Sequence, residues 1–240
     1  MVFGHGRADD PARAEEAAKI PQMHRDTTTG LVLAGGAGQR FGGQDKGLQV
    51  LRGRPLVDHV LQRLAPQVAR VLISANRNAT AYARPGVQVL ADRPLPAPAD
   101  AAALSRADAP VPGAQGPLGG LLAAWAVLSD STTASDWIAL CPVDAPLLHP
   151  QWVARLMAAR HADDVAVVCA TAAGPEPLFA VVHRSTQPLL AQRLASGQRA
   201  AQGFWQAVGA RTLDCSDIAD SFANVNTPQA LAELEAAGPR

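Results

Sequence analysis

LVLAGGAGQRFGGQDKGL, residues Leu31 to Leu48, sets six glycines, one arginine and one lysine directly behind an apolar, strand-like run. A backbone-lined phosphate cradle needs this composition. Gly35, Gly36, Gly38, Gly42 and Gly43 permit positive φ and close approach of the main chain, so that successive N–H groups can converge on phosphate oxygens. Arg40 and Lys46 add formal charge. Lys46 is the more telling of the two, because the chain spells its 21 basic residues with only two lysines, Lys19 and Lys46. A lysine inside the loop of so arginine-rich a chain points to a need for a compact, rotatable ammonium in place of a planar fork.

Other glycine loops fit less well. A Walker A loop requires Gly-Lys followed by Ser or Thr, and the chain contains no Gly-Lys pair. A dinucleotide fingerprint begun at Gly36 would need its third glycine where Phe41 stands. A strand before the loop and a helix after it, the context in which such loops hold phosphate, speak against a mere surface loop.

With 240 residues, 48% hydrophobic and 18% charged, the chain can bury the core of one domain with appendages. Its 21 acidic residues balance its 21 basic ones, so no global charge recruits nucleic acid or an anionic membrane. Cys141, Cys169 and Cys215 are scattered, odd in number and without metal-like spacing, which suits reduced thiols in the cytoplasm. No stretch reads as a signal peptide or a membrane span.

Working outward from the loop, apolar runs alternate with helix-period segments, the pattern of an α/β domain with a mainly parallel sheet. Strands are predicted at Leu31–Ala34, Val68–Ser74, Val87–Leu90, Trp137–Cys141, Val165–Ala170 and Leu178–His183. Helices are predicted at Leu56–Leu64, Leu118–Leu128, Pro150–Arg160, Ser185–Leu194 and Pro228–Ala237. Residues 1–28 read as a flexible N-terminal extension, 29–237 as the domain, and the Ala/Pro-rich stretch 93–115 as an exposed insertion.

Ligands of such sheets sit at the carboxyl ends of the strands. Asp144, in the Pro-bounded run Trp137–Pro146, is held just beyond a buried strand, a good position for Mg²⁺. Asp92 follows another strand at the same edge. Turn formation before a Pro-bounded segment is the alternative for both. Ser74 ends a strand, and Asn76 belongs to the Asn76-Arg77-Asn78 turn behind it, which also reads as an ordinary polar turn. Gly116-Pro117-Leu118-Gly119-Gly120 opens a helix whose N–H groups can face a nucleotide, although a tight helix entry explains Gly116 and Gly120 almost as well. Thr227 and Pro228 start a helix, leaving Asn224 and Asn226, which in extended chain project to one side.

The loop, together with Gly-Pro-Leu-Gly-Gly, Cys-Pro-Val-Asp-Ala-Pro and Asn-Val-Asn-Thr-Pro at these spacings, resembles the molybdenum cofactor guanylyltransferases from about Thr29 to Ala237. The resemblance implies a three-layer α/β/α Rossmann-like nucleotidyltransferase fold and transfer of GMP from GTP to the terminal phosphate of molybdenum-molybdopterin, with release of pyrophosphate. It implies GTP contacts at Leu33, Ala34, Gly35, Gly36, Lys46, Asp92 and Asp144, with Mg²⁺ on Asp144. Arg40, Lys46 and Asp144 would be catalytic, and Arg199, Asn224 and Asn226 would lie on the pterin side. Two departures stand out: Ala200 after Arg199, where the family often has a second arginine, and Gln39 before Arg40. His59 and His183 are not required as bases, because a phosphate nucleophile is already ionised. The expected partners are GTP and molybdopterin, then molybdoenzyme chaperones or other cofactor-synthesis proteins, with the enzyme a cytoplasmic monomer. The loop also resembles cytidylyl- and sugar-nucleotidyltransferases, and a catalytically silent nucleotide-binding module is the reading outside the enzyme class.

Overall fold

The computed structural model describes residues 25, 27–34, 44–92, 115–129 and 135–238. The glycine loop from 35 to 43, most of the expected extension and nearly all of the expected insertion lie outside the described residues.

The apolar run before the glycine loop forms the second half of β1 (Thr28–Leu33), buried at every position. A strand buried along its whole length belongs in the middle of a parallel sheet, covered on both faces. Six further strands join it: β4 (Arg70–Ser74), β5 (Val87–Leu90), β6 (Trp137–Pro142), β7 (Ala166–Thr171), β8 (Gly174–His183) and β9 (Arg211–Asp214). Their order is β5-β4-β1-β6-β8-β7-β9. All neighbours pair in parallel except β8, which is antiparallel to β6 and β7.

Side chains alternate between the faces, as a strand period of two requires. Val32, Ala139 and Cys141 point to one face. There they meet α1 (Leu56–Leu64) through Val57, Val60 and Leu64, and α4 (Trp152–Ala158) through Trp152 and Leu156. Leu31, Leu33, Ile138 and Leu140 point to the other, covered by α3 (Pro117–Ser129), α5 (Gln187–Ala195) and α6 (Ala201–Ala207). The architecture is thus three-layered, α/β/α. Helix α3 is apolar nearly all round, with eight buried residues, as befits a helix sunk into its layer. The described residues also include a one-turn helix, α2 (Ala79–Tyr82), and α7 (Pro228–Ala236) near the C-terminus. Thr227 caps α7 as expected, its Oγ1 accepting from Ala230 N at 3.1 Å with Pro228 at the first helical position.

Several expectations are corrected. The glycine loop does not lead straight into a helix. A 3₁₀ turn (Lys46–Leu48) and a two-stranded ribbon, β2 (Val50–Leu51) with β3 (Arg54–Pro55), come first. Strand β8 starts at Gly174, four residues before the expected Leu178, and its pairing with β7 is irregular: Val168 faces Ala180, but Cys169 faces Glu176. Helix α6 and edge strand β9 were not predicted at all. The first is seven residues long and contains Gly203, and the second, Arg-Thr-Leu-Asp, is polar at alternate positions and lacks the apolar run that marks an inner strand. All three cysteines are free thiols, buried in the core. No helix among the described residues is long and apolar enough to cross a membrane.

Candidate active site

Strand β1 lies between β4 and β6, so the chain leaves it on one side for β4 and returns on the other through β6. In a doubly wound sheet the crevice beyond the carboxyl ends at such a switch point binds ligands. The three ends are knitted together past the regular ladder: Ala34 N donates to Ser74 O at 2.8 Å, and Val143 N to Leu33 O at 3.1 Å. A cleft of about 290 Å³ opens above them. Of the residues singled out in the sequence, Leu33, Ala34, Lys46, Ser74, Asn76, Gly116 and Asp144 line it.

Lys46 occupies the 3₁₀ turn between the glycine loop and the ribbon. Its Nζ donates to Asp144 Oδ2 at 3.1 Å and to Asn226 Oδ1 at 2.6 Å. Asp144 leaves β6 through a Pro-stiffened turn, and its carbonyl accepts from Val225 N at 2.8 Å, which ties the Asn224–Asn226 segment to the same corner. Three stretches far apart in sequence therefore converge on one ammonium. The pair is mostly shielded, with side chains 23% and 12% exposed, so its field is less screened than that of a surface pair. Lysine has three N–H donors, and among the described residues two are engaged, leaving one for a ligand oxygen. Asp144 Oδ1 likewise has no partner among the described residues, so one hard carboxylate oxygen is available to a divalent cation. Mg²⁺ is suited by one carboxylate plus phosphate oxygens and water. No cluster of three or more acidic, His or Cys side chains that could hold a metal occurs among the described residues.

The other wall of the crevice is made by the entry to α3. Gly116 takes φ +65°, a conformation that favours glycine. A Cβ on Gly119 would fall 2.7 Å from Asp92 Oδ2, and one on Gly120 would fall 2.4 Å from Ser74 Oγ. The glycines thus let α3 press against the ends of β4 and β5. Asp92 is 9% exposed, and neither carboxylate oxygen has a protein partner among the described residues. Burial pushes its pKa up, an effect that the neighbouring Asn76 side chain partly offsets without a hydrogen bond to either carboxylate oxygen. Asn76, read in the sequence as a ligand contact, spends its carbonyl oxygen on Asp92 N at 2.7 Å.

Not every expected residue joins this group. Asp92 and Gly120 are packed behind the lining. Arg199 is exposed, though its carbonyl lies 3.7 Å from where a Gly116 Cβ would stand, which sets the segment before α6 beside the α3 entry. Asn224 is half-buried, and its Oδ1 is unpaired among the described residues. Gly35, Gly36 and Arg40 lie outside the described residues.

Several residues of the site were missed. Asp45 and Leu178 line the cleft, as do Pro117, Pro142 and Val143, and Tyr82 stands behind Asp45. Asp45 caps the 3₁₀ turn, a role that an Asp two residues before Gly47 could have suggested. Leu178 reaches the cleft from the irregular stretch of β8, and bulges of this kind re-aim side chains next to active sites.

A doubly wound three-layer sheet with a shielded lysine–aspartate pair at its switch point defines a class: a nucleotide-handling α/β domain of Rossmann-like architecture. Comparison with known proteins narrows it. The model of the MobA-like NTP transferase domain matches residues 30–212. A molybdenum cofactor guanylyltransferase of Vibrio cholerae serotype O1 is 35% identical over 92% of this chain and 97% of its own. One from Burkholderia orbicola is 38% identical over 90% and 98%. Among solved structures, molybdopterin-guanine dinucleotide biosynthesis protein A from Archaeoglobus fulgidus shares the fold, with a TM-score of 0.65 and 20% identity over 87% of this chain and 97% of that one. The chain belongs to the MobA-like NTP transferase family and is a nucleotidyltransferase.

Proposed function

We propose that the protein transfers GMP from GTP to the terminal phosphate of molybdenum-molybdopterin, forming molybdopterin guanine dinucleotide and pyrophosphate. The relatives that align along almost the whole chain are named for guanylyl transfer onto the molybdenum cofactor, which supports both substrates. The carrying observation is the convergence of Lys46, Asp144 and Asn226, which links the β1 side of the cleft to the segment expected to face the pterin.

In this reading an oxygen of the acceptor phosphate attacks the α-phosphorus of GTP in line. An O–Pα bond forms, the bond from Pα to the bridging oxygen of the β-phosphate breaks, and pyrophosphate carries away the electron pair. The nucleophile is already ionised near neutral pH, so no general base is required. Lys46 directs its remaining N–H at a phosphate oxygen and offsets charge that builds on the phosphates, with Arg40 of the glycine loop as a second cation. Asp144 orients Lys46 through Oδ2 and offers Oδ1 to Mg²⁺, which when bound supplies charge neutralisation on the phosphates. Leu33, Ala34, Ser74 and Gly116 form the surface for the guanosine half, to which Gly35 and Gly36 are assigned by resemblance. Asn224 and Arg199 serve the acceptor half. The enzyme is assigned to the cytoplasm on its three buried free thiols.

Calorimetric titration of GTP into the wild type and Asp144→Asn, with and without Mg²⁺, tests the metal and nucleotide assignments together. Affinity that rises with Mg²⁺ in the wild type and not in the variant is expected. Equal Mg²⁺ response in both proteins would contradict the assignment of Asp144.

A further inference from the structure

We propose that Tyr82, a buried residue of α2 behind the cleft lining, is a positioning residue that fixes Lys46 by anchoring the cap of its turn. Tyr82 is the only tyrosine in the chain and is fully buried. A buried phenol needs a partner for its hydroxyl, and where none is required a phenylalanine fills the same space at lower desolvation cost. Here Tyr82 Oη donates to Asp45 Oδ1. Asp45 immediately precedes Lys46 and caps the turn that carries it, accepting from Gly47 N at 3.2 Å, while Asn78 Nδ2 donates to its other oxygen at 3.2 Å. The turn closes through Leu48 N to Asp45 O at 3.3 Å.

Three donors on one carboxylate have two consequences. They hold Asp45 as a rigid cap, and they occupy a negative charge that would otherwise compete with Asp144 for the Lys46 ammonium or repel a triphosphate in the cleft that Asp45 lines. The hydroxyl is also tightly located. A Cβ at position 47 would stand 2.4 Å from Tyr82 Oη, so the absence of a side chain at Gly47 is what lets the phenol reach the cap. The device is supplied from α2, a single helical turn entered through Asn78 at φ +53°, in the same left-handed conformation that glycine adopts freely.

The catalytic consequence rests on the role of Lys46 proposed above, whereas the positional claim can be read without it. With two lysines in the chain, protein labelled with ¹³C and ¹⁵N in lysine gives two side-chain signals, assigned with a Lys19→Arg variant. In the wild type the two ε protons of Lys46 are expected to be inequivalent, as in a held side chain. In Tyr82→Phe, which removes only the hydroxyl, they should move towards the degenerate pair of a freely rotating lysine. Asn78→Gly, which keeps the left-handed backbone and deletes the second donor, should move them the same way. A Lys46 signal unchanged in both variants overturns the proposal.

Turnover supplies the second reading. Loss of one hydrogen bond to a charged acceptor should lower kcat roughly 10-fold in Tyr82→Phe, with KM for GTP little altered. In a Lys46→Ala background the same substitution should add no further loss, because the group it positions is gone. A further loss equal to that in the wild-type background would show that Tyr82 acts by another route. A wild type that does not use GTP, yet whose Lys46 signal responds to Tyr82→Phe, would contradict the proposed function and leave Tyr82 as the anchor of Lys46.

Discussion

Gly120→Ala decides between two effects of opposite sign. Counted as helix propensity alone, the change should help, because alanine is about 1 kcal/mol better than glycine in a helix interior. The surroundings say otherwise. The new Cβ would meet Ser74 Oγ at 2.4 Å, Ser74 Cβ at 2.7 Å and Leu33 Cδ2 at 3.2 Å. The hydroxyl can rotate away, but Ser74 Cβ is fixed to β4, so reaching even a tight contact of 3.4 Å requires α3 to lift by about 0.7 Å, the difference between 3.4 and 2.7. Overpacking of this kind costs about 1–3 kcal/mol, so the net change is a loss of about 1 kcal/mol. For a chain of this size that lowers Tm by roughly 2–4 °C, whereas propensity alone would raise it by a similar amount. The lift also shifts the Gly116–Pro117 rim of the cleft, and misplacement on this scale should weaken productive GTP binding about tenfold or more. Calorimetric melting with GTP-dependent kinetics measures both effects. Adding Ser74→Gly removes both clashing atoms, so the double variant should be more stable than the two single changes sum to. A raised Tm in Gly120→Ala with unchanged kinetics would refute the close approach of α3 to β4.

Further outcomes follow from the same geometry. Lys46→Ala should lower turnover by about 10²–10³-fold at saturating GTP with the fold retained, and Lys46→Arg should restore only part of it, because a planar fork cannot meet Asp144 and Asn226 as the ammonium does. Circular dichroism and steady-state rates check both variants. Asp144→Asn should abolish most activity with a Tm close to that of the wild type, whereas a lowered Tm with retained activity would assign Asp144 to the turn alone. Burial first, then the hydrogen bond to Asp45, raises the pKa of Tyr82 above its ordinary value of 10.0. The native state therefore keeps a proton that the unfolded chain loses above about pH 10, so stability should be level below pH 10 with respect to this group and fall as pH rises beyond it. Tyrosinate absorbance at 295 nm, which reports Tyr82 alone, should appear near pH 10 only in unfolded protein.

The parts of the fold legible in the sequence are those whose local pattern and final environment agree. Continuous apolar runs mark β1 and β6 because both are covered on two faces, and the spacing of Leu56, Val57, Val60 and Leu64 marks α1 because one face alone is buried. The antiparallel sense of β8 was open to deduction: seven residues separate the predicted Val165–Ala170 and Leu178–His183, too few for a parallel crossover. Edge strand β9 pairs with β7 alone and carries little apolar content, so its existence depends on a neighbour that its own residues do not announce. The site divides the same way. Lys46 and Asp144, which the fold brings together at the cleft, stood out in the sequence because a lone lysine in a glycine loop and an aspartate at a strand end have few structural reasons to be there. The bond from Tyr82 to Asp45 spans 37 positions and joins a residue that looks like core to one that looks like turn, so only the folded chain reveals it.

The most direct test is product formation from each of the four nucleoside triphosphates, with Mg²⁺, in the presence and absence of molybdopterin, followed as pyrophosphate release and by mass of the pterin product. Pyrophosphate with GTP only when molybdopterin is present, a product heavier by one GMP unit, and a strong preference for GTP over CTP are expected. Equal use of CTP and GTP, or pyrophosphate release that does not depend on molybdopterin, would contradict guanylyl transfer to the pterin.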